Sequence, residues 1–301
     1  MAQKKEPVKQ TQAAEQKKEP VKDFFKDLAF VLVAFFFLNS FVIASFEVPT
    51  GSMENEIMTG DFLFVNKFIY GGTTPRTIPF TNVRLPWFRV PAFQDVERGD
   101  VIVFEWPGNR DEVRPEEFTF YLKRCVAQSH DTLQILDRVV YVNGKASTPP
   151  RNMKFNSYSI KPFGDGDPRI FPRGLAYNED NWGPEVVPGK GDVLELTPET
   201  FDRWKTFIAR EGHTLVMDDG GRILLDGKPA AAYTVERNYY FGMGDNRDNS
   251  LDSRFWGYIP EENIVGTPII VYWSWNPEIS LVDVFAKLGS IRLGRVGSII
   301  Q

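Results

Sequence analysis

Residues 49–53 read PTGSM and residues 118–127 read FTFYLKRCVA. The first stretch offers a hydroxyl in a turn, the second an ammonium inside an apolar run. Together they could supply a nucleophile and its base, because a serine hydroxyl attacks poorly until a neighbouring group takes its proton. Histidine is the familiar partner, but neither His130 (in AQSHDTL) nor His213 (in REGHTLV) lies in a stretch resembling a catalytic loop. Lysine can serve if burial keeps it neutral, since desolvation lowers its pKa by up to ~3–5 units. Lys123 fits: Phe118, Phe120, Tyr121, Leu122, Cys125 and Val126 surround it, and strand alternation sends Lys123 and Arg124 to opposite faces. A lysine that protects an edge strand from aggregation would look the same. A third stretch favours chemistry: GMGDNRDNSLDSRFWGYIP, at 242–260, groups Asp245, Asp248, Asp252, Arg247 and Arg254 around Ser250 and frames them with aromatic residues. Charges in an aromatic frame predict a partly buried ion-pair network, and so a scaffold for a site.

Other chemistries fit poorly. The net charge of −5 gives no basic excess for a nucleic-acid partner. The single cysteine, Cys125, can make no internal disulfide, and with two histidines it is too little for a Cys/His zinc site, which leaves an all-carboxylate site as the one metal alternative.

The elements that would carry these residues begin with Leu28–Phe46, nineteen residues without a charge. As a helix they would be about 28 Å long, enough for the hydrocarbon core of a bilayer. A cleavable secretory signal is the alternative, but the apolar run exceeds the usual ~7–15 residues. Residues 1–22, which repeat KKEPVK, read as a disordered tail, and 23–46 as the anchor. The tail holds six Lys against three Glu, whereas residues 47–66 hold four acidic residues and no Lys or Arg. The positive-inside rule then places the tail in the cytoplasm and the rest on the exported side. Beyond residue 46, short runs such as DFLFVNKFIYG, DVIVFEW and TPIIVYWSW predict a mainly β, antiparallel fold. Hairpins are expected at Asn143-Gly144 and at Asp218–Gly221. One amphipathic helix is expected, with Thr197 as N-cap, Pro198 in its first turn, Phe201, Trp204, Phe207 and Ile208 on one face, and Gly212 as its stop. The C-terminal EISLVDVFAKLGSIRLGRVGSII is expected to close the core, with the bilayer surface as its alternative.

These pieces resemble, in order, the type I signal peptidase (leader peptidase) family of Ser/Lys serine proteases. The likeness rests on FEVPTGSM with GDFLFVNKFIYG, RGDVIVF at 98–104, YLKRCVA at 121–127, GMGDNRDNSLDSRFWGYIP, VGTPIIVYWSW at 265–275 and IRLGRVG at 291–297. It implies a catalytic core of 47–131 and 238–301, interrupted by an inserted β-rich subdomain at 132–237 that carries the one helix. It implies Ser52 as nucleophile and Lys123 as general base, with Ser250 hydrogen-bonding the amine and Asp245 and Arg124 forming a supporting ion pair beside Asp252. The oxyanion would be held by the Ser52 N–H and the Thr50 hydroxyl. Phe46, Val48, Met53, Ile57, Tyr121 and Leu122 would wall the pockets that accept small side chains in an Ala-x-Ala substrate. The implied activity is removal of signal peptides from exported preproteins at the cell (inner) membrane, with preproteins, the bilayer and translocation machinery as partners, no nucleic acid and no cofactor. A non-catalytic anchored β domain and a self-cleaving Ser/Lys protease are the rival readings. The chain departs from the family twice: Glu54-Asn55-Glu56-Ile57 stands where the family has x-Pro-Thr-aliphatic, and Gln128-Ser129-His130 stands where it has Pro-Gly or Ala-Gly before the aspartate.

Overall fold

The apolar N-terminal run divides into two kinds of structure. In a computed structural model, which describes residues 20–78 and 83–300, helix α1 spans Pro20–Phe41 and strand β1 follows at Ile43–Glu47. The expected anchor of 23–46 is therefore corrected at its C-terminal end: the helix stops at Phe41, and the last apolar residues pair antiparallel with strand β2, Asp61–Asn66. Ile43, Ala44 and Phe46 suit a strand as well as a bilayer, because β-branched and aromatic residues pack well on a pleated surface. Of the expected disordered tail, residues 1–19 lie outside the described residues, and 20–22 already belong to α1. Val21–Phe41 is long and apolar enough to cross a membrane, with a mean hydropathy of 1.7 and only 6% of its most apolar window buried within the protein. Its base is docked: Lys67 Nζ donates to the Asn39 carbonyl at 3.2 Å, a cation at a helix C-terminus, and Phe41 packs on Phe88.

Strands β3 (Val101–Glu105) and β4 (Phe120–Gln128) complete the first part of the main sheet. Strands β5 (Thr132–Leu136), β6 (Val139–Val142), β7 (Lys145–Ala146) and β8 (Trp182–Val186) then form a second, four-stranded sheet. After β9 (Val193–Glu195) come helix α2 (Pro198–Arg210), the small sheet of β10 (Leu215–Met217), β11 (Ile223–Leu225) and β12 (Lys228–Pro229), and β13 (Ala232–Thr234), which pairs back on β9. The chain re-enters the main sheet at β14 (Tyr239–Met243), followed by helix α3 (Ser253–Trp256), β15 (Ile259–Pro260), the long β16 (Ile264–Ser274) and helix α4 (Val284–Gly289). The main sheet runs β1-β2-β16-β3-β4-β14-β15, every pair antiparallel. The mainly β expectation holds.

Both hairpins form where their turn residues predict. Asn143 and Gly144 carry φ of 53° and 76°, as a two-residue hairpin turn requires, and Met217 pairs with Ile223 across the second turn. Helix α2 has its Thr197 cap and buries Phe201, Trp204, Phe207 and Ile208. Because β4 and β14 are neighbours, the segment between them leaves and rejoins the sheet at one place, and it shares that sheet's core: Trp182 meets Phe241 with ring centroids 4.7 Å apart, and Phe207 meets Tyr239 at 4.7 Å.

The C-terminus differs from expectation in part. Arg295 pairs with the fully buried Asp61, and Val271 N–H donates to the Ser298 carbonyl, so residues 295–300 do close onto β16. Helix α4 is inverted, however: Lys287 is buried, donating to the carbonyls of Asn276 and Ile279, while Val282, Val284, Phe285 and Leu288 are exposed. The apolar residues of 281–288 do not close the core.

Candidate active site

Ser52 sits in the turn between β1 and β2. The base of that turn is closed by Val48 N–H to the Asp61 carbonyl and Gly60 N–H to the Val48 carbonyl, both at 2.9 Å. Lys123 lies in the middle of β4, paired with Ile102 of β3. Its Nζ is 2.6 Å from Ser52 Oγ, and both side chains are buried, at 3% and 8% exposure. Burial lowers the Lys123 pKa to about 8; Asp252 and Asp245 oppose that shift and Arg254 adds to it. A lysine with that pKa is partly neutral near neutral pH, as a proton acceptor must be.

The 242–260 block packs beneath this pair. Arg124, on the face of β4 away from Lys123, forks onto Asp245, with Nε at 3.0 Å and Nη2 at 2.7 Å, and its Nη1 reaches the Gly99 carbonyl. Asp252, fully buried, accepts from Gly244 N–H and from Arg254 Nε and Nη2; burial opposes its ionisation, but the Arg254 charge and hydrogen bonds hold its carboxyl below the usual range. Arg254 in turn donates to the Arg247 carbonyl. The block touches the nucleophile's turn through Asn246, whose N–H donates to the Ser52 carbonyl at 3.0 Å and whose Nδ2 donates to the Gly51 carbonyl at 3.0 Å.

Thr50, Ser52, Lys123 and Ser250 line one cleft of about 650 Å³ with Phe46, Val48, Met53, Tyr121 and Leu122. Two expectations need correcting. Ile57 does not reach the cleft: it is fully buried behind Met53, packed with Val48 and Leu63 in the core beneath. Ser250 lines the cleft, yet its buried Oγ makes no hydrogen bond, to Lys123 or to anything else described. The Ser52 N–H and the Thr50 hydroxyl are likewise without an acceptor among the described residues. Neither His130 nor His213 lines the cleft; His130 faces Asp192, and His213 is held between Asp226 and Glu236.

Sequence reasoning missed the residues that hold the serine turn from outside. Asn55 adopts φ of 84°, a left-handed conformation that a proline, locked near −65°, cannot take, so the turn after the nucleophile follows a path closed to the family's proline. It is clasped by residues of the insertion: Lys154 Nζ donates to Glu54 at 2.7 Å, Asn152 Nδ2 to Glu56, and Asn55 Nδ2 to the Asn152 carbonyl at 3.4 Å. Lys154 also pairs by main chain with the block below, its N–H to the Asp245 carbonyl and its carbonyl from Arg247 N–H. The signal was present in the ENE departure, but its partner lies about a hundred residues away. The other departure has a related geometry: His130 holds φ of 70°, a value that suits the glycine of the family pattern.

The clasp gives a modest, testable effect. Glu54 and Lys154 are partly exposed, so their pair is worth roughly 0.2–1 kcal/mol. Lys154→Met and Glu54→Gln are each expected to lower kcat about two- to fivefold, and the double variant no further. Additive losses in kcat across that cycle would show that the two side chains do not act on the turn together.

The antiparallel β fold thus brings a buried serine and a buried lysine together at the wall of one cleft. A family model described as "Signal peptidase, peptidase S26" matches residues 21–273. Signal peptidase I of Buchnera aphidicola (subsp. Schizaphis graminum) is 30% identical over 297 residues, covering 93% of this chain and 83% of that protein. Signal peptidase I of Pseudomonas aeruginosa is 30% identical over 293 residues (91% and 81%), and that of Aquifex aeolicus 27% identical over 299 residues (90% and 95%). The chain belongs to the signal peptidase family, peptidase S26.

Proposed function

We propose that this protein is a membrane-anchored endopeptidase that removes signal peptides from exported preproteins, with Ser52 as nucleophile and Lys123 as general base. The observation that supports it most is the 2.6 Å contact between Ser52 Oγ and a buried lysine of lowered pKa, at one wall of an apolar cleft. In the reactive form the lysine is neutral and the serine hydroxyl donates to it. As Oγ attacks the scissile carbonyl, its proton passes to Lys123 Nζ, and the ammonium then returns a proton to the departing amine. Water, deprotonated by the same lysine, hydrolyses the acyl-enzyme.

The Ser52 N–H and the Thr50 hydroxyl, both without an acceptor among the described residues, would receive the charge of the tetrahedral intermediate, where each such donor is worth about 10²–10³ in rate. The free Ser250 hydroxyl would take the lysine's hydrogen bond once Oγ is committed to the acyl group. A buried hydroxyl left without a partner costs stability, which gives its retention at the cleft a functional meaning. Phe46, Val48, Met53, Tyr121 and Leu122 form a wall that small apolar side chains can meet and bulky or polar ones cannot. Helix α1 would span the bilayer with its lysine-rich N-terminal side in the cytoplasm, setting the catalytic domain on the exported side. Strand β1 then joins span to nucleophile: Ser52 lies eleven residues past Phe41, five of them fixed in the sheet. Substrates still embedded by their own apolar segment would present their cut site at that depth.

The test is cleavage, by the full chain in neutral detergent, of a preprotein with alanine at the first and third positions before the cut. One cut after the second alanine is expected, with none by Ser52→Ala. Equal cleavage by Ser52→Ala would rule the assignment out.

A further inference from the structure

A second cavity lies between β4, the β6–β7 hairpin and the chain from 147 to 155, with a volume of about 770 Å³, inside the ~300–1,000 Å³ range of small-molecule sites. It shares no lining residue with the catalytic cleft. Its walls are mostly apolar, with Val126, Val139, Val140, Met153 and Phe155 prominent. Three arginines also line it, Arg98, Arg138 and Arg247, and no acidic side chain does among the described residues.

The three arginines differ in what they have left to offer. Arg138 is committed: it donates to Asp180 and to the carbonyls of Ser157 and Ser159, and stacks on Phe155. Arg98 is half exposed at the rim, 3.7 Å from Asp131. Arg247 is only 3% exposed, yet its single hydrogen bond runs from Nε to the Gly244 carbonyl, and it makes no ion pair among the described residues. Its terminal nitrogens have no acceptor among the described residues. Burial, followed by the nearby Arg254 charge, lowers its pKa to about 10, with Asp252 and Asp245 opposing that shift from the catalytic side without contacting the guanidinium. A buried charge is normally paired, because desolvation makes an isolated one expensive.

We infer that this cavity binds the carboxylate of a single-chain fatty acid, its head on the Arg247 guanidinium and its tail along the apolar wall. The walls argue for an acyl chain over a peptide. An extended peptide needs a row of main-chain donors and acceptors, whereas the neighbouring edge strand β7 is two residues long and the chain beyond it runs into Pro149-Pro150, which has no N–H to give. A protein whose first helix can cross a bilayer has such amphiphiles at hand.

Equilibrium binding of radiolabelled dodecanoate to the full chain in neutral detergent tests this. Saturation at one per chain is expected, with at least tenfold weaker binding in Arg247→Gln and in Ala146→Trp, which fills the cavity. Dodecanol and an apolar octapeptide with a free C-terminus should compete at least tenfold less well than unlabelled dodecanoate. Ala146→Trp should keep wild-type cleavage, which shows that it is folded and makes it the deciding variant if Arg247→Gln is not. Non-saturable uptake, equal competition by dodecanol or by the octapeptide, or unchanged binding in folded Ala146→Trp would each overturn the inference.

Discussion

Lys123→Met is expected to lower kcat/KM on a preprotein by about 10²- to 10⁴-fold, the usual contribution of a general base, without loss of fold. Methionine has a similar length and needs no partner, so the buried site of Lys123 accepts it, and a charge that burial penalises is removed. Lys123→Arg should be as inactive, because a guanidinium does not release its proton in this range. The wild-type pH profile carries the sign of the argument. Burial moves the lysine from its ordinary value of 10.5 to about 8, so the fraction of competent, neutral amine falls about tenfold per pH unit below that value. The kcat/KM of the wild type should climb with a slope near one up to about pH 8 and then level off. The residual activity of Lys123→Met should lack that limb. A flat wild-type profile between pH 5 and 9 would refute the lysine base. Substrate covering the cleft desolvates the amine further, so the corresponding limb in kcat should lie at lower pH than the limb in kcat/KM.

Residues whose roles depend on near neighbours in sequence were legible before the fold was known. Lys123 and Arg124 diverge because a strand alternates, and Asp252 meets Arg254 inside a block whose aromatic frame announces burial, whereas the Asp245–Arg124 pair, 121 residues apart, was implied only by the family resemblance. The end of α1 was not legible, since Ile43–Phe46 is as apolar as the helix before it, and hydropathy does not distinguish a lipid-facing turn from a strand packed on its neighbour. Ile57 was misplaced for a related reason: an apolar residue near a nucleophile can line the cleft or lie beneath it, and only the path of the turn decides. The Lys154 and Asn152 clasp depends on pairing between the insertion and the 245–247 segment, a contact with no local pattern to reveal it. Helix α4 reads as a core-closing segment because its composition suits one, yet Lys287 turns inward to two carbonyls and the face of Trp275, and its apolar side chains turn out.

Gly244→Ala is the most damaging conservative substitution that the geometry suggests. A methyl at this position would stand 2.2 Å from Ser250 Oγ, 2.6 Å from Ser250 Cβ and 2.6 Å from the Ser52 carbonyl oxygen. The hydroxyl could rotate away, but Ser250 Cβ and the Ser52 carbonyl could not, because the latter is held by Asn246 N–H one strand-end away. The nucleophile's own peptide must therefore move. Displacements of about 1 Å in a catalytic constellation cost about 10² in rate, so kcat should fall roughly a hundredfold with little change in KM. Overpacking of this kind costs about 1–3 kcal/mol, so the protein should remain folded with a lowered Tm. Gly289→Ala is the matched control, since a methyl there would meet nothing within 4 Å, and it should keep full activity. Adding Ser250→Ala to Gly244→Ala separates the causes when read against Ser250→Ala alone: it removes the Oγ clash but leaves Cβ and the Ser52 carbonyl in place, so kcat should stay well below that of Ser250→Ala. A kcat in that double variant equal to that of Ser250→Ala would move the effect from the Ser52 peptide to the Oγ clash alone, and wild-type kcat in Gly244→Ala would mean that the turn carrying the nucleophile has more freedom than its hydrogen bonds imply.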